Sequence, residues 1–217
     1  MAVITISRQL GSFGSIIAHL VAEDLGFHLL DSEIVDAVAE RAHVPTAVAD
    51  GVDERAFRGA SGLFYSLLVG IQNGRLTPEA YVYFATQVIR EAAAREDLVV
   101  LGRAGQVAVG RNPRAFHVHI VASMEARVAR LVEREHGTKL EARRILSESD
   151  DFRRAYVWAA GQRTWDDPTL YDLVLNTTRL SPTFAAAMVV ESAREASVVP
   201  RPSKQTARPE SAIARAW

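Results

Sequence analysis

The sequence predicts an α/β protein, with a mostly parallel sheet, helices on both faces and right-handed crossovers. Three observations carry this reading. About five short β-rich runs alternate with helical stretches along the 217 residues. One run, Leu98-Val99-Val100-Leu101, is continuously apolar, as a strand buried on both faces is. Residues of special chemistry (Arg8, Gly11, Asp31, Gly102 and Arg103) fall just after the runs. They therefore gather on one edge of the sheet, where open α/β sheets place their ligands.

The first strand is Val3 to Ile6, followed by a polar loop, Ser7 to Ser15, and a helix over Ile16–Leu25. Strand, glycine loop and helix make a phosphate cradle, because a helix N-terminus offers free N–H groups and partial positive charge. Gly11 and Gly14 let the backbone approach phosphates, and Ser12 and Ser15 suit helix capping or donation to phosphate oxygens. The same residues also suit an ordinary strand–turn–helix. The loop departs from G-x-x-x-x-G-K-[ST]: Gln9 replaces the first glycine, Ser15 the lysine and Ile16 the hydroxyl residue. Lys139 and Lys204 are the only lysines, so a cation from the loop itself must be Arg8.

Gly26 ends the first helix, and a short strand, Phe27 to Asp31, follows. Ser32 is placed to cap a helix over Glu33–Ala42. Asp31 fits a ligand-edge carboxylate and a simple helix-entry carboxylate equally. From His43 to Arg95 no strand is evident, and the stretch reads as a helical insert. It holds a short helix near Pro45 and Thr46, an apolar run over Ala56–Ile71, and a helix capped by Thr77 with Pro78 first. Its aromatics Phe64, Tyr65, Tyr81, Tyr83 and Phe84 suit core, lid or dimer surface, core first.

Gly102-Arg103-Ala104-Gly105 follows the apolar strand as a second glycine turn, and Phe116–Val121 is the next strand. His117 and His119 on it read as structural. Ser123 caps a helix with Arg127, Arg130 and Arg134, of which two are expected in solvent and one inward. Thr138–Arg154 reads as a further helix, then a polar loop to Pro168, a strand at Leu173–Leu175, and a helix from Ser181-Pro182 to about Ala196. From Val199 onward, Pro, Ser and Arg read as a disordered tail.

Composition narrows the function classes. The net charge of −1 argues against a nonspecific nucleic-acid binder. The absence of cysteine excludes disulfides and thiolate metal sites, and the six histidines show no ligand spacing. No apolar run approaches ~20 residues, so no membrane span is expected, and the cytoplasm is the expected location.

Several blocks together resemble the cytidylate kinase-like family: Ile4 to Ser12, Leu25-Gly26-Phe27, Leu30-Asp31, Leu101 to Gly105, Trp165 to Pro168, and Tyr171 to Thr177. The resemblance implies a three-layer P-loop fold over residues 1–198, with a nucleoside monophosphate-binding insert at about 32–96, a lid at about 138–168 and a tail at 199–217. It implies an ATP-dependent phosphotransferase acting on a nucleoside monophosphate or related small acceptor, with ATP and Mg²⁺ as cofactors and a homodimer possible. Arg8 would replace the missing lysine, Arg153 and Arg154 would close over the transferring group, and Gly102-Arg103 would contact the acceptor. Gly11, Ser12, Gly14, Ser15 and Asp31 complete the expected site, and its metal ligands are unknown. Ala104 stands where the family has Asp. The departures leave a second reading, a nucleotide-binding pseudokinase that senses or scaffolds. A third is a dimerising α/β domain with a vestigial site.

Overall fold

The computed structural model describes residues 1–52 and 76–200. Five strands form one sheet: β1 (Val3–Arg8), β2 (His28–Leu30), β3 (Leu98–Leu101), β4 (Ala115–Val121) and β5 (Leu173–Asn176). Their order is β2-β3-β1-β4-β5, and every pairing is parallel. The chain runs outward to β2, returns to β3, then crosses β1 to reach β4. That reversal opens a crevice at the C-terminal end of β1.

The described helices are α1 (Gly14–Leu25), α2 (Glu33–Ala42), α3 (Thr46–Val52), α4 (Pro78–Arg95), α5 (Gly105–Val109), α6 (Met124–Glu135), α7 (Lys139–Gly161) and α8 (Pro182–Glu195). Side chains alternate across the sheet with period two. Ile4, Ile6, Val99, Leu101, Phe116, Val118 and Ile120 pack with α1 and α8 on one face. Val3, Leu30, Leu98 and Val100 pack with α2, α4 and α7 on the other. Burying an Ile or Val side chain of this kind contributes about 1.5–3 kcal/mol. A smaller cluster of Leu10, Val128, Leu131, Ala142 and Leu146 joins α6 and α7 to the loop after β1.

Most helix ends follow the sequence. The hydroxyls of Thr77, Ser123 and Ser181 each accept from a first-turn amide, Thr138 and Glu141 form a reciprocal capping box, and Gly26 closes α1 with φ 65°. Ser32 differs, sitting in helical conformation without a capping bond. α7 also exceeds expectation, running to Gly161 rather than Arg154, because Tyr156 and Val157 continue its buried stripe. Val198 and Val199 are buried beside α8 and the sheet, so packing reaches the residue at which the tail was expected to begin. The apolar run at 56–71 and residues 201–217 lie outside the described residues. Of the described insert aromatics, Tyr81 is buried, Phe84 half-buried and Tyr83 exposed. No described helix is long and apolar enough to cross a membrane.

Both β4 histidines face the α7 side. His117 meets the Thr5 hydroxyl at 2.8 Å and the Gly110 carbonyl at 3.0 Å. His119 stacks on Tyr171 (centroids 4.7 Å apart) and meets the edge of Trp165 at 5.1 Å. Burial lowers the His119 pKa to about 4. The unfolded chain therefore binds a proton near pH 6.5 that the folded chain refuses. Stability should be intact above that value and fall as pH drops from about 6.5 to 4, by an amount on the order of 3 kcal/mol. Urea unfolding across that range should show the slope, and His119→Phe should flatten it. An unchanged slope would remove His119 as its source.

Candidate functional site

The loop after β1 is shaped largely by its own polar groups. The Gln9 amide donates to Ile120 O (3.0 Å), and its side-chain oxygen accepts from the Ala122 amide (3.0 Å). The Ser12 hydroxyl is fully buried, within reach of Gln9 O (2.8 Å) and Ile120 O (3.1 Å). Thr177 in turn donates its hydroxyl to Ser12 O at 2.8 Å. Ser12 thus pins the loop to β4 and to Thr177 after β5, and it does not line the cavity described below.

Two residues in the loop have positive φ: Gly11 at 78° and Phe13 at 66°. Gly11 suits this because it lacks a Cβ, which would meet Arg127 Cβ at 3.2 Å. Gly14 is different. It is the first residue of α1, and a Cβ there would fall on the Arg8 stem, 2.7 Å from Cγ. The first amides of α1 have no carbonyl one turn back, so they point outward as donors. The Arg8 stem crosses just over them.

Arginines from three elements surround this helix start. Arg8 and Arg153 are buried. Arg130 of α6 donates to Gly11 O (3.0 Å) and Thr177 O (2.6 Å), with its guanidinium 3.9 Å over the Phe13 ring. Partial burial lowers its pKa. Arg134, one helical turn on, is exposed and pairs with its neighbour Glu135. Arg153 donates to the Ser149 carbonyl (3.2 Å) and hydroxyl. Arg8, Arg130, Arg134 and Arg153 line one cavity of about 220 Å³ with Gly11, Gly14 and Ser15. Among the described residues no carboxylate lines it. Convergent guanidiniums over free helix amides make an anion site suited to several phosphates.

A narrow crevice adjoins this cavity, sharing Arg8 and Arg153 and continuing to Gly102, Arg103 and Trp165. The turn at Gly102-Arg103-Ala104 has three consecutive positive φ values, 74°, 46° and 51°. It tucks the Arg103 side chain inside, where Nη1 donates to Asp31 Oδ1 at 2.7 Å.

The fold therefore brings Arg8, Gly11, Gly14, Ser15 and Arg153 together, with Gly102 and Arg103 alongside. Asp31 reaches this neighbourhood as the partner of Arg103. Arg154 does not join them. It lies on the outer side of α7, bonded to Asp166 and Asp151 at 2.8 Å, because consecutive helical residues point about 100° apart. Of the α6 arginines, only Arg134 stands in solvent as expected. Arg127 is buried in a two-bond ion pair with Asp150 (3.0 and 2.8 Å) and reaches Leu10 O (3.4 Å). The spacing of 127, 130 and 134 on one helical face was the signal for these roles.

The lining residues do not suit a resident metal ion. Among the described residues no cluster of three or more His, Asp or Glu could hold one. Mg²⁺ at this site would have to arrive on the phosphates of its nucleotide.

The model of the cytidylate kinase-like family matches residues 3–179. No curated protein matches. An uncharacterized protein from Eubacterium ventriosum has a similar structure, with TM-score 0.66 and 20% identity over 88% of this chain and 97% of that one. Shikimate kinase from Acinetobacter baumannii, solved with shikimate, gives TM-score 0.51 and 13% identity over 88% and 92%. At such identities the likeness is one of fold, that of the P-loop kinases.

Two substitutions test this geometry. Gly14→Ala should push Arg8 aside, costing about 1–3 kcal/mol by overpacking and weakening the binding of inorganic triphosphate. Full triphosphate affinity in a folded Gly14→Ala protein would count against the site. Arg127→Leu should cost about 3–5 kcal/mol in denaturant unfolding by stranding Asp150, and Arg127→Leu/Asp150→Leu should recover most of it. Equal losses in both variants would mean that packing, not the ion pair, matters there.

Proposed function

The chain belongs to the cytidylate kinase-like family, and on that premise we propose that it is an ATP-dependent phosphotransferase with a nucleoside monophosphate or related small acceptor. The observation that carries this reading is the cavity where four arginines, with no carboxylate among the described residues of its lining, meet the start of α1. Transfer of a phosphoryl group rests on positioning and on neutralising charge, and this cavity offers both.

In this mechanism the amides at the start of α1 hold the donor phosphates. Arg8 supplies the cation that a loop lysine would otherwise give, with a planar fork that grips two phosphate oxygens. Arg153, on the wall between cavity and crevice, faces both donor and acceptor sides and stabilises the group in transit. Arg134, exposed on the cavity's lining, would exchange its pair with Glu135 for the donor phosphates. Gly102-Arg103 borders the acceptor side, and an acceptor phosphate would compete with Asp31 for the Arg103 guanidinium. The lining offers Mg²⁺ no ligand set among the described residues, so any Mg²⁺ would be held by the nucleotide's own phosphates and would supply charge neutralisation there. The cytoplasm, where ATP and Mg²⁺ are abundant, suits this reaction. A homodimer is compatible with the reading and not required by it.

The Arg103–Asp31 pair and the missing lysine favour one other reading, a nucleotide-binding protein without turnover. Coupled kinase assays over a panel of monophosphates and small hydroxyl acceptors separate the two. Turnover with one acceptor establishes the kinase. ATP binding with no turnover on any acceptor establishes the second reading.

Arg8→Ala should weaken ATP binding more than adenosine binding, by about 1.5–3 kcal/mol for a lost charged hydrogen bond. Arg8→Lys should recover only part of that. If Arg8→Ala lowers stability but leaves the ratio of ATP to adenosine affinity unchanged, Arg8 is structural and the kinase reading loses its main support.

A further inference from the structure

A larger cavity, of about 830 Å³, lies at the opposite edge of the sheet, beside the N-terminal ends of β4 and β5. Its volume falls within the range of about 300–1,000 Å³ typical of small-ligand sites. Arg111, Asn112 and Gln106 line it, and so do Arg163, Phe116 and Tyr171. None of these lines the phosphate cavity.

The charges in this cavity are unbalanced. Its carboxylate, Asp172, accepts from the His117 amide at 2.7 Å and is thus engaged with β4. His117 is held by Thr5 and Gly110 through its two ring nitrogens. Arg111 and Arg163 are exposed and have no ion pair among the described residues, though the Arg163 charge, after the bonds from Thr169, helps to hold the nearby Asp167 carboxyl below its usual range. Two guanidinium forks thus border a space that also has the amides of Asn112 and Gln106 on its lining. Forks of this kind fit the oxygens of a phosphate, and the volume leaves room for a remainder the size of a sugar or nucleoside.

We propose that this cavity is a second ligand site, separate from the phosphate loop, for a small phosphate ester of about mononucleotide size. Its floor is wired to the protein interior. Gln106 donates to the Tyr171 hydroxyl (3.3 Å), which donates to Trp165 O (2.8 Å), and the Trp165 indole donates to the Ser7 hydroxyl (2.8 Å). Ser7 directly precedes Arg8. A ligand pressing on Tyr171 therefore moves a chain of contacts that ends at the phosphate-loop strand.

The test titrates ribose 5-phosphate and CMP against the full chain by calorimetry. Emission of the buried Trp165, in a Trp158→Phe/Trp217→Phe background, gives a second readout. Three proteins are compared: the parent, Arg8→Ala, and Arg111→Ala/Arg163→Ala. Both cavity arginines are exposed, so an unchanged melting temperature is expected and checked. The expected result is a binding component that persists in Arg8→Ala and is weakened about tenfold or more in the double variant, as the loss of charged hydrogen bonds requires. It should be accompanied by a change in Trp165 emission. If neither probe shows such a component, the proposal is overturned. Binding lost in Arg8→Ala and kept in the double variant would place the ester in the phosphate-loop cavity, leaving the kinase reading intact and this one refuted.

Discussion

The stem of Arg8 lies so close to the first turn of α1 that position 14 has no room for a Cβ. Much of the site follows from this approach. The end of β1 and the start of α1 are forced together, so the intervening residues must turn tightly. Gly11 and Phe13 absorb the turn in left-handed conformation, and Phe13 then stands out where Arg130 covers it. The guanidinium of Arg8 is delivered to the cavity by a stem with little freedom. A cation held this way loses little conformational entropy when it meets an anion, which a lysine on a flexible stem would not match.

Buried ion pairs fix the surroundings. Arg127 with Asp150 joins α6 to α7, and Arg103 with Asp31 joins the turn after β3 to the end of β2. Taking such charges out of water costs several kcal/mol per ion, largely offset by their mutual attraction when the geometry is good. Neither pair is therefore a large net source of stability. The effect of the Arg127 pair is on register, because an arginine displaced by one helical position would leave Asp150 buried alone. Arg130 does related work without a carboxylate, holding Gly11 O and Thr177 O together across the loop.

The strands, their order of appearance and most helix starts were legible because they rest on local signals: apolar runs, hydroxyl caps, and Pro78 and Pro182 at first helical positions. The gathering of Arg8, Gly11, Asp31, Gly102 and Arg103 at one sheet edge was legible for the same reason. What escaped depends on contacts distant in sequence. The last turns of α7 are held by the burial of Tyr156 and Val157, which no cap announces. Ser12 and Ser15 look alike in the chain, yet one is locked under β4 and β5 while the other lines the cavity. Arg153 and Arg154 were paired as neighbours in sequence, and a helix sends neighbours to different sides.

The turn at Gly102-Arg103-Ala104 bears on which sequences can occupy this fold. Left-handed backbone costs an ordinary residue roughly 1–2 kcal/mol, least for Asn and Asp, whose side chains bond locally. Here Arg103 and Ala104 both carry that cost in succession. Residue 104 therefore acts as a filter on drift. Gly would relieve the backbone cost, Asn or Asp would ease it but bring a polar group into an apolar position that is 4% exposed, and Val, Ile or Thr would add to it. Ala at this position thus keeps the wall of the crevice uncharged and apolar above the buried Arg103, at the expense of backbone strain.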